Sequence, residues 1–334
     1  MRRRMVERPR SWRWGVNRWF VLLFIVLGYF AARAYPPVQP HVQLPAEVLA
    51  ATPLFTIPGV GPIYLTNTLV ATLLADILLL ALGFAVWRAT RGGSLQLRGI
   101  PAAVEALLET LYNLAESTAG KWARSIFPWM ATIILLVLVA NWMELIPGVD
   151  SIGLLHHVEG EGGHAVQQLA PGIEAVIRAE PPEGEAGYVV VPFVRVVSTD
   201  LNFTLALALL SVTFTQYYGI RAGGLSYFGK FFNVKTLFSK PIFGAIDFGV
   251  GLLEIVSEFS KILSFTFRLF GNIFAGSVLL FVIGTLVPVF AQTPFLMLEF
   301  FVGLIQAIVF GMLTLVFMAQ ATAGHGHGDA AHAS

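Results

Sequence analysis

The chain has 334 residues, 56% hydrophobic and 12% charged, with a net charge of +1 and no cysteine. A soluble domain of this size carries about a quarter charged residues, so this deficit, with a mean hydropathy of +0.73, points to a bilayer rather than a large water-facing surface. The near-zero charge gives no basic field for nucleic acid, and the lack of cysteine excludes disulfides, thiolate metal sites and cysteine nucleophiles.

The N-terminus, MRRRMVERPRSWRWGVNR, is basic and leads into the apolar run WFVLLFIVLGYFAA. That run is short of the roughly 20 residues a spanning helix needs. With the small-x-small end at Ala32–Ala34, residues 1–34 read either as a cleaved signal peptide or as a retained anchor. Both readings send the segment 35–62 to the outside.

A membrane domain is predicted over 63–320. Its first span is Ile63–Trp87, with Asn67 near the outer end as a residue that wets an outer channel. Asp76 lies mid-span and fits either a channel residue or a polar contact with a neighbouring helix. Arg88, Arg91 and Arg98 follow. Over Pro101–Gly120, Leu107, Leu111 and Leu114 recur at helical spacing between Glu105, Glu109 and Glu116, which predicts an amphipathic helix on the inner surface. The second span, Ile126–Ile146, stops at Pro147-Gly148.

Residues 149–197 break the pattern. This outer loop is partly acidic, with Asp150, Glu159, Glu161, Glu174, Glu180, Glu183 and Glu185 against Arg178 and Arg195. The runs YVVVPFV and PGIEAVI predict some local order within it. His156, His157 and His164 near Glu159 and Glu161 lack fixed helical spacing and read as a solvated loop rather than a metal site. The third span is Leu201–Ile220, followed by a basic stretch, 221–240, with Lys230 and Lys235.

Phe243–Phe290 is one apolar segment of about 48 residues, roughly 70 Å if helical, more than twice what a perpendicular crossing requires. No proline lies between Pro241 and Pro288, so one oblique or bent helix is predicted. Pro294–Gln320 is the last span, and 321–334 a flexible tail. The fold class is therefore all-α polytopic: five core membrane helices, an N-terminal signal or anchor segment and an inner-surface helix. Lysine and arginine mark cytoplasmic loops, which places the leader, 88–124, 221–240 and the C-terminus inside and 149–197 outside.

GLSYFGKF at 224–231 imitates a phosphate loop, but Phe231 stands where Ser or Thr would bind magnesium, and a membrane span rather than a buried strand precedes it. No nucleotide, cofactor or metal is expected on this chain, and no catalytic residue.

Lys261 and Arg268 are the basic residues inside the apolar spans. An arginine in mid-bilayer is expensive and persists only with a partner, an aqueous cavity or a function. It stays protonated, so it acts as a fixed charge and not as a proton relay. At 100° per residue Lys261, Ser264 and Asn272 fall within about 40° of Arg268. Glu254 lies near that stripe about 21 Å away along the axis, and Glu258 flanks it. Lys261 fits this polar track or an internal pair with Glu258 or Glu254. Ser277 lies nine residues beyond Arg268, and on the last span Glu299 and Gln306 are seven apart, nearly on one face. Two polar tracks therefore converge on one arginine: Glu254, Glu258 and Ser264 from the inside, Ser277 and Glu299 from the outside.

The segment SKILSFTFRLFGNIFAG at 260–276 resembles the signature of the a subunit of rotary F-type ATP synthases. NWMELIP at 141–147, STDLNFTLALAL at 198–209 and LIQAIVFGML at 304–313 resemble further family segments in the same order, so the likeness covers roughly 60–320. The resemblance implies the stator half of a proton path, with two aqueous half-channels reaching mid-membrane against a c-subunit ring whose members each carry one carboxylate. It implies the c ring, the b-subunit peripheral stalk and the rest of the synthase as partners, in the inner membrane of a bacterium. The family arginine maps to Arg268, its asparagine to Asn272, its glutamine to Gln306, its inner-channel glutamate to Glu254, its serine to Ser264 and its inter-span acid to Glu144. Bacterial members often pair a glutamate with a histidine at the positions held here by Ser277 and Glu299. No histidine lies in any span, so Glu299 acts alone or with Asp200, Glu144 or water. A stand-alone ion-coupled transporter is the alternative, although the chain shows no internal repeat of the kind that class often has.

Overall fold

The computed structural model describes residues 14–34, 45–59, 61–91, 99–146, 148–158, 163–177, 179, 187–231, 241–286 and 292–323. Seven α-helices organise them: α1 (Trp14–Ala34), α2 (Asn67–Arg91), α3 (Ile100–Ala119), α4 (Ala123–Trp142), α5 (Leu201–Gly223), α6 (Pro241–Leu286) and α7 (Gln292–Thr322). Five stretches are long and apolar enough to cross a membrane: Asn67–Arg91, Ile100–Leu145, Leu201–Gly223, Phe248–Leu286 and Gln292–Thr322. The chain is a polytopic helical membrane protein. The long apolar segment is one continuous helix, α6, of 46 residues. The phosphate-loop mimic ends α5, as a 3-10 turn over Gly224–Lys230. Lys235, Glu159, Glu161, Arg178 and residues 324–334 lie outside the described residues.

Helix ends follow local chemistry. Asp200 caps α5, its side chain accepting from the Asn202 backbone N–H at 2.9 Å, which satisfies one of the free donors of the first turn. Past α4 a 3-10 turn follows over Met143–Leu145, and Gly148 has a φ of 91° that only glycine adopts without strain. The first span begins four residues later than hydropathy alone suggests. Residues 47–66 form a two-stranded ribbon, in which β1 (Phe55–Ile57) pairs antiparallel with β2 (Gly61–Ile63) and Val48 bridges Thr66. Asn67 closes its root: its Nδ2 donates to Glu47 Oε2 at 2.9 Å, and it is fully buried.

The chain divides into two compact units. The larger takes in the described parts of His41–Leu155, Val190–Val278 and Met297–Ser334. Its core joins Ile133 and Val137 of α4, Leu207 and Ala208 of α5, Phe265, Leu269 and Ile273 of α6, and Ala307 and Phe310 of α7. Between helices in lipid there is little hydrophobic drive, so close approach by small residues carries the packing. On α7 Gly303, Ala307 and Gly311 recur every fourth residue. A Cβ on Gly311 would stand 2.1 Å from Ile134 Cγ1, and one on Gly303 3.1 Å from Asn141 Cβ, so α4 lies directly against this stripe. The buried Asn141 fastens the contact, donating to Gly303 O at 3.2 Å and accepting from Ser198 Oγ at 2.5 Å. Helix α3 packs Leu111 and Ala115 against α4 and leaves Glu105, Glu109 and Glu116 exposed, but Leu114, read with the apolar face, is exposed too.

The smaller unit contains α1, residues 156–189 and the end of α6. Local order in the acidic loop takes the form of short strands. β4 (Ala165–Ala170) and β5 (Ile173–Ile177) make a hairpin, and β3 (Gly153–Val158) pairs with β6 (Gly187–Pro192). His164 bridges Tyr188, and the His157 ring meets the Tyr188 ring edge-on.

Candidate functional site

Helix α6 has two unlike faces. Phe265, Leu269 and Ile273 point into the core, whereas Ser260, Ser264, Phe267, Arg268, Asn272 and Ala275 are exposed. Arg268 therefore stands on the outward face of the helix, with Ser264 and Asn272. Its one hydrogen bond among the described residues is from Nη2 to Ser264 Oγ, at 3.3 Å, one turn back on the same helix. That bond fixes the direction of the guanidinium without neutralising it. Neither Asn272, exposed, nor Gln306, half-buried, is hydrogen-bonded among the described residues.

Toward the N-terminal end of α6, Glu258 is buried and forms an ion pair with Lys261 at 3.0 Å, the internal alternative for that lysine. Lys261 Nζ also sits 5.0 Å over the Phe317 ring of α7. Glu254, one turn further back, is half-buried. Ser264 faces outward with Arg268.

Toward the C-terminal end a second polar group forms within the helix packing. The Glu299 carboxylate of α7 occupies the space where Gly276 of α6 has no side chain: a Cβ there would fall 1.8 Å from Oε1. Glu299 is only 6% exposed. Ser277, also buried, donates to Ile273 O at 3.0 Å and borders Glu144, which in turn neighbours Glu299 and Asp150. Glu144, Ser277 and Glu299 thus come together from three different segments, Glu144 being one of the partners the sequence left open for Glu299. Beyond them, in the loop after the second span, burial pushes Asp150 from 3.8 up to about 6, against the opposing pull of Arg195.

Asp200 takes a different place. Its Oδ2 accepts from Thr68 Oγ1 at 2.8 Å while Oδ1 caps α5, so both oxygens hold α2 and α5 together. Asn67 likewise serves as the latch to Glu47. Sequence reasoning missed Gly276. It adjoins Ser277 in the chain, but only the packing of α7 shows that its missing side chain seats a carboxylate.

A family model described as ATP synthase A chain matches residues 69–319. The chain belongs to the ATP synthase A chain family. Within it, the chain is 30% identical over 208 residues to an ATP synthase subunit a of Gloeobacter violaceus, covering 61% of this chain and 62% of that relative. It is 29% identical over 175 residues to an ATP synthase subunit a of Campylobacter concisus, covering 52% and 54%. A shorter match to that of Moorella thermoacetica reaches 38% over 89 residues, 27% and 39% of the two chains. The chain spans about three fifths or less of the length of these relatives. The A chain family model spans the stretch from Glu144 to Gln306, Arg268 included.

Proposed function

We propose that this chain is the stator subunit of the membrane sector of a rotary ATP synthase. It carries protons to and from the carboxylates of a c ring, with Arg268 dividing the path into two half-channels. The observation that carries this is the placement of Arg268: mid-helix, on the exposed face of a membrane span, held among the described residues only by a serine hydroxyl. A cation in lipid requires a counter-charge, which no described residue supplies and a rotor carboxylate would.

The mechanism follows from that charge. A rotor carboxylate facing lipid stays protonated, because an unpaired charge there is costly. Opposite Arg268 it ionises, since a nearby positive charge favours the carboxylate form. Its proton leaves on the inner side past Ser264 toward Glu258 and Glu254, and a new one arrives from the outer side through Glu144, Glu299 and Ser277. Asn272, one turn from Arg268 on the same helix, and Gln306 offer amide donors and acceptors to the rotor carboxylate. Because Arg268 cannot accept a proton, none passes directly between the two groups, and transport requires the ring to turn. One charge moved through 100 mV supplies about 2.3 kcal/mol, so several transfers are combined for each ATP. The partners in this reading are the c ring, the b-subunit peripheral stalk and the catalytic head. The location is a bacterial inner membrane, with the C-terminus of the chain cytoplasmic.

The test uses inverted membrane vesicles and a pH-sensitive dye to follow ATP-driven acidification. Arg268→Ala should abolish pumping while the complex still assembles. Pumping at the wild-type rate in that variant would leave Arg268 as a structural residue and end this reading.

A further inference from the structure

Helix α2 packs one side only. Thr68, Ala71 and Ala75 are buried, with Ala71 in a cluster with Ala140 of α4 and Val197. Asp76 lies on the other side and is exposed. Leu73, Ile77 and Leu80 around it are 52%, 62% and 73% exposed. Counted from Asn67, Asp76 is about 13 Å into the helix, close to the middle of a hydrocarbon core about 30 Å thick. No side chain among the described residues hydrogen-bonds or pairs with it. The cations of the same helix, Arg88 and Arg91, lie at its far end, about 18 Å or more along the axis, and Arg91 stacks over the Trp87 ring at 4.1 Å.

An aspartate in the apolar part of a span is expensive and marks a partner. Gly83 adds a second observation. It is seven residues on, within about 20° of Asp76 around the helix, and a Cβ built on it meets nothing within 4 Å. A glycine on a surface rich in large apolar side chains opens a place where another helix backbone can approach closely. We propose that this face of α2 docks a membrane helix of a second, stationary polypeptide that carries a lysine or arginine at mid-bilayer depth opposite Asp76. Lipid tails offer no donor to a carboxylate. The rotor ring, under the function proposed above, presents carboxylates of its own and would repel it. A basic membrane helix is the partner whose charge fits.

The absence of cysteine in the chain makes the test clean. A Gly83→Cys variant, labelled with a benzophenone maleimide in the intact complex in its own membrane, should cross-link to a helix of another stationary subunit within about one turn of a lysine or arginine. Asp76→Lys should lower recovery of that subunit with the purified complex by about tenfold, and changing the partner's basic residue to Asp in the same cells should restore it. Cross-linking to lipid or to the rotor ring alone would overturn the proposal. So would Asp76→Lys complexes that keep every subunit in wild-type ratio. If Asp76→Asn left assembly intact but stopped pumping, Asp76 would be a channel residue and the docking proposal would fall. Failure of the Arg268 reading shows separately, in the pumping of Arg268→Ala complexes.

Discussion

Gly276 is required by a neighbour's side chain rather than by its own backbone. Because the atom it would strike is the tip of Glu299, an added methyl displaces the carboxylate while the helices keep their places. Gly276→Ala is therefore expected to lower ATP-driven pumping on the order of 10- to 100-fold, the scale set by misplacing a reacting group by about 1 Å, with assembly retained. Gly249→Ala, where a methyl meets nothing within 4 Å, should pump normally and serves as the control. Asp150 supplies a test by pH. Burial raises its folded pKa from 3.8 to about 6, so the folded protein holds that proton more tightly than the unfolded chain. Stability should fall as pH rises from about 4 to 6 and level off above it. Thermal unfolding of the purified complex across that range reads the slope, which Asp150→Asn should reduce. Equal slopes in both would show that Asp150 does not titrate differently on folding.

At the scale of elements, the contact between α4 and α7 holds the site in register, because α4 leads into Glu144 and α7 carries Glu299. Its closest point, Gly311 against Ile134, has no room for a side chain. Gly311→Leu should destabilise the helix pair by about 1–3 kcal/mol, as overpacking does. The loss would appear as a lower aggregation temperature of the detergent-solubilised complex, and an unchanged temperature would mean that the helices are free to separate. The spans themselves were legible in hydropathy, since apolar length is a direct consequence of bilayer thickness. The start of α2 was not: Ile63, Tyr64 and Leu65 are apolar whether they lie in a helix or in the ribbon that Asn67 latches to Glu47. Lys261 with Glu258 was legible as a spacing of three on one helix. The seat of Glu299 was not, because Gly276 and Glu299 belong to different helices and no periodicity links them. Asp200 shows a further limit. A Ser-Thr-Asp run before an apolar stretch reads equally as a polar entry to a channel and as a helix cap, and only packing against Thr68 shows where its oxygens go.

For the whole molecule, sequence gave a topology through the distribution of lysine and arginine, and the helices supply the spans it needs. Single cysteines test it. Ser151→Cys, in the loop that the charge distribution places outside, should react with a membrane-impermeant maleimide added outside intact cells, and Ser117→Cys, at the end of α3, only once the membrane is opened. The reverse pattern would invert the chain and exchange the two half-channels. In either orientation the two polar groups lie on opposite sides of one arginine along α6, Glu254 about 21 Å and Ser277 about 13 Å from it. That separation matters only if Arg268 keeps protons from crossing directly. The most direct measurement is passive proton flux through the membrane sector, in vesicles stripped of the catalytic head and with the ring cross-linked against rotation. Wild-type vesicles should hold an imposed pH gradient, and Arg268→Ala vesicles should dissipate it without rotation. A gradient held equally well by both would contradict the division of the path at Arg268.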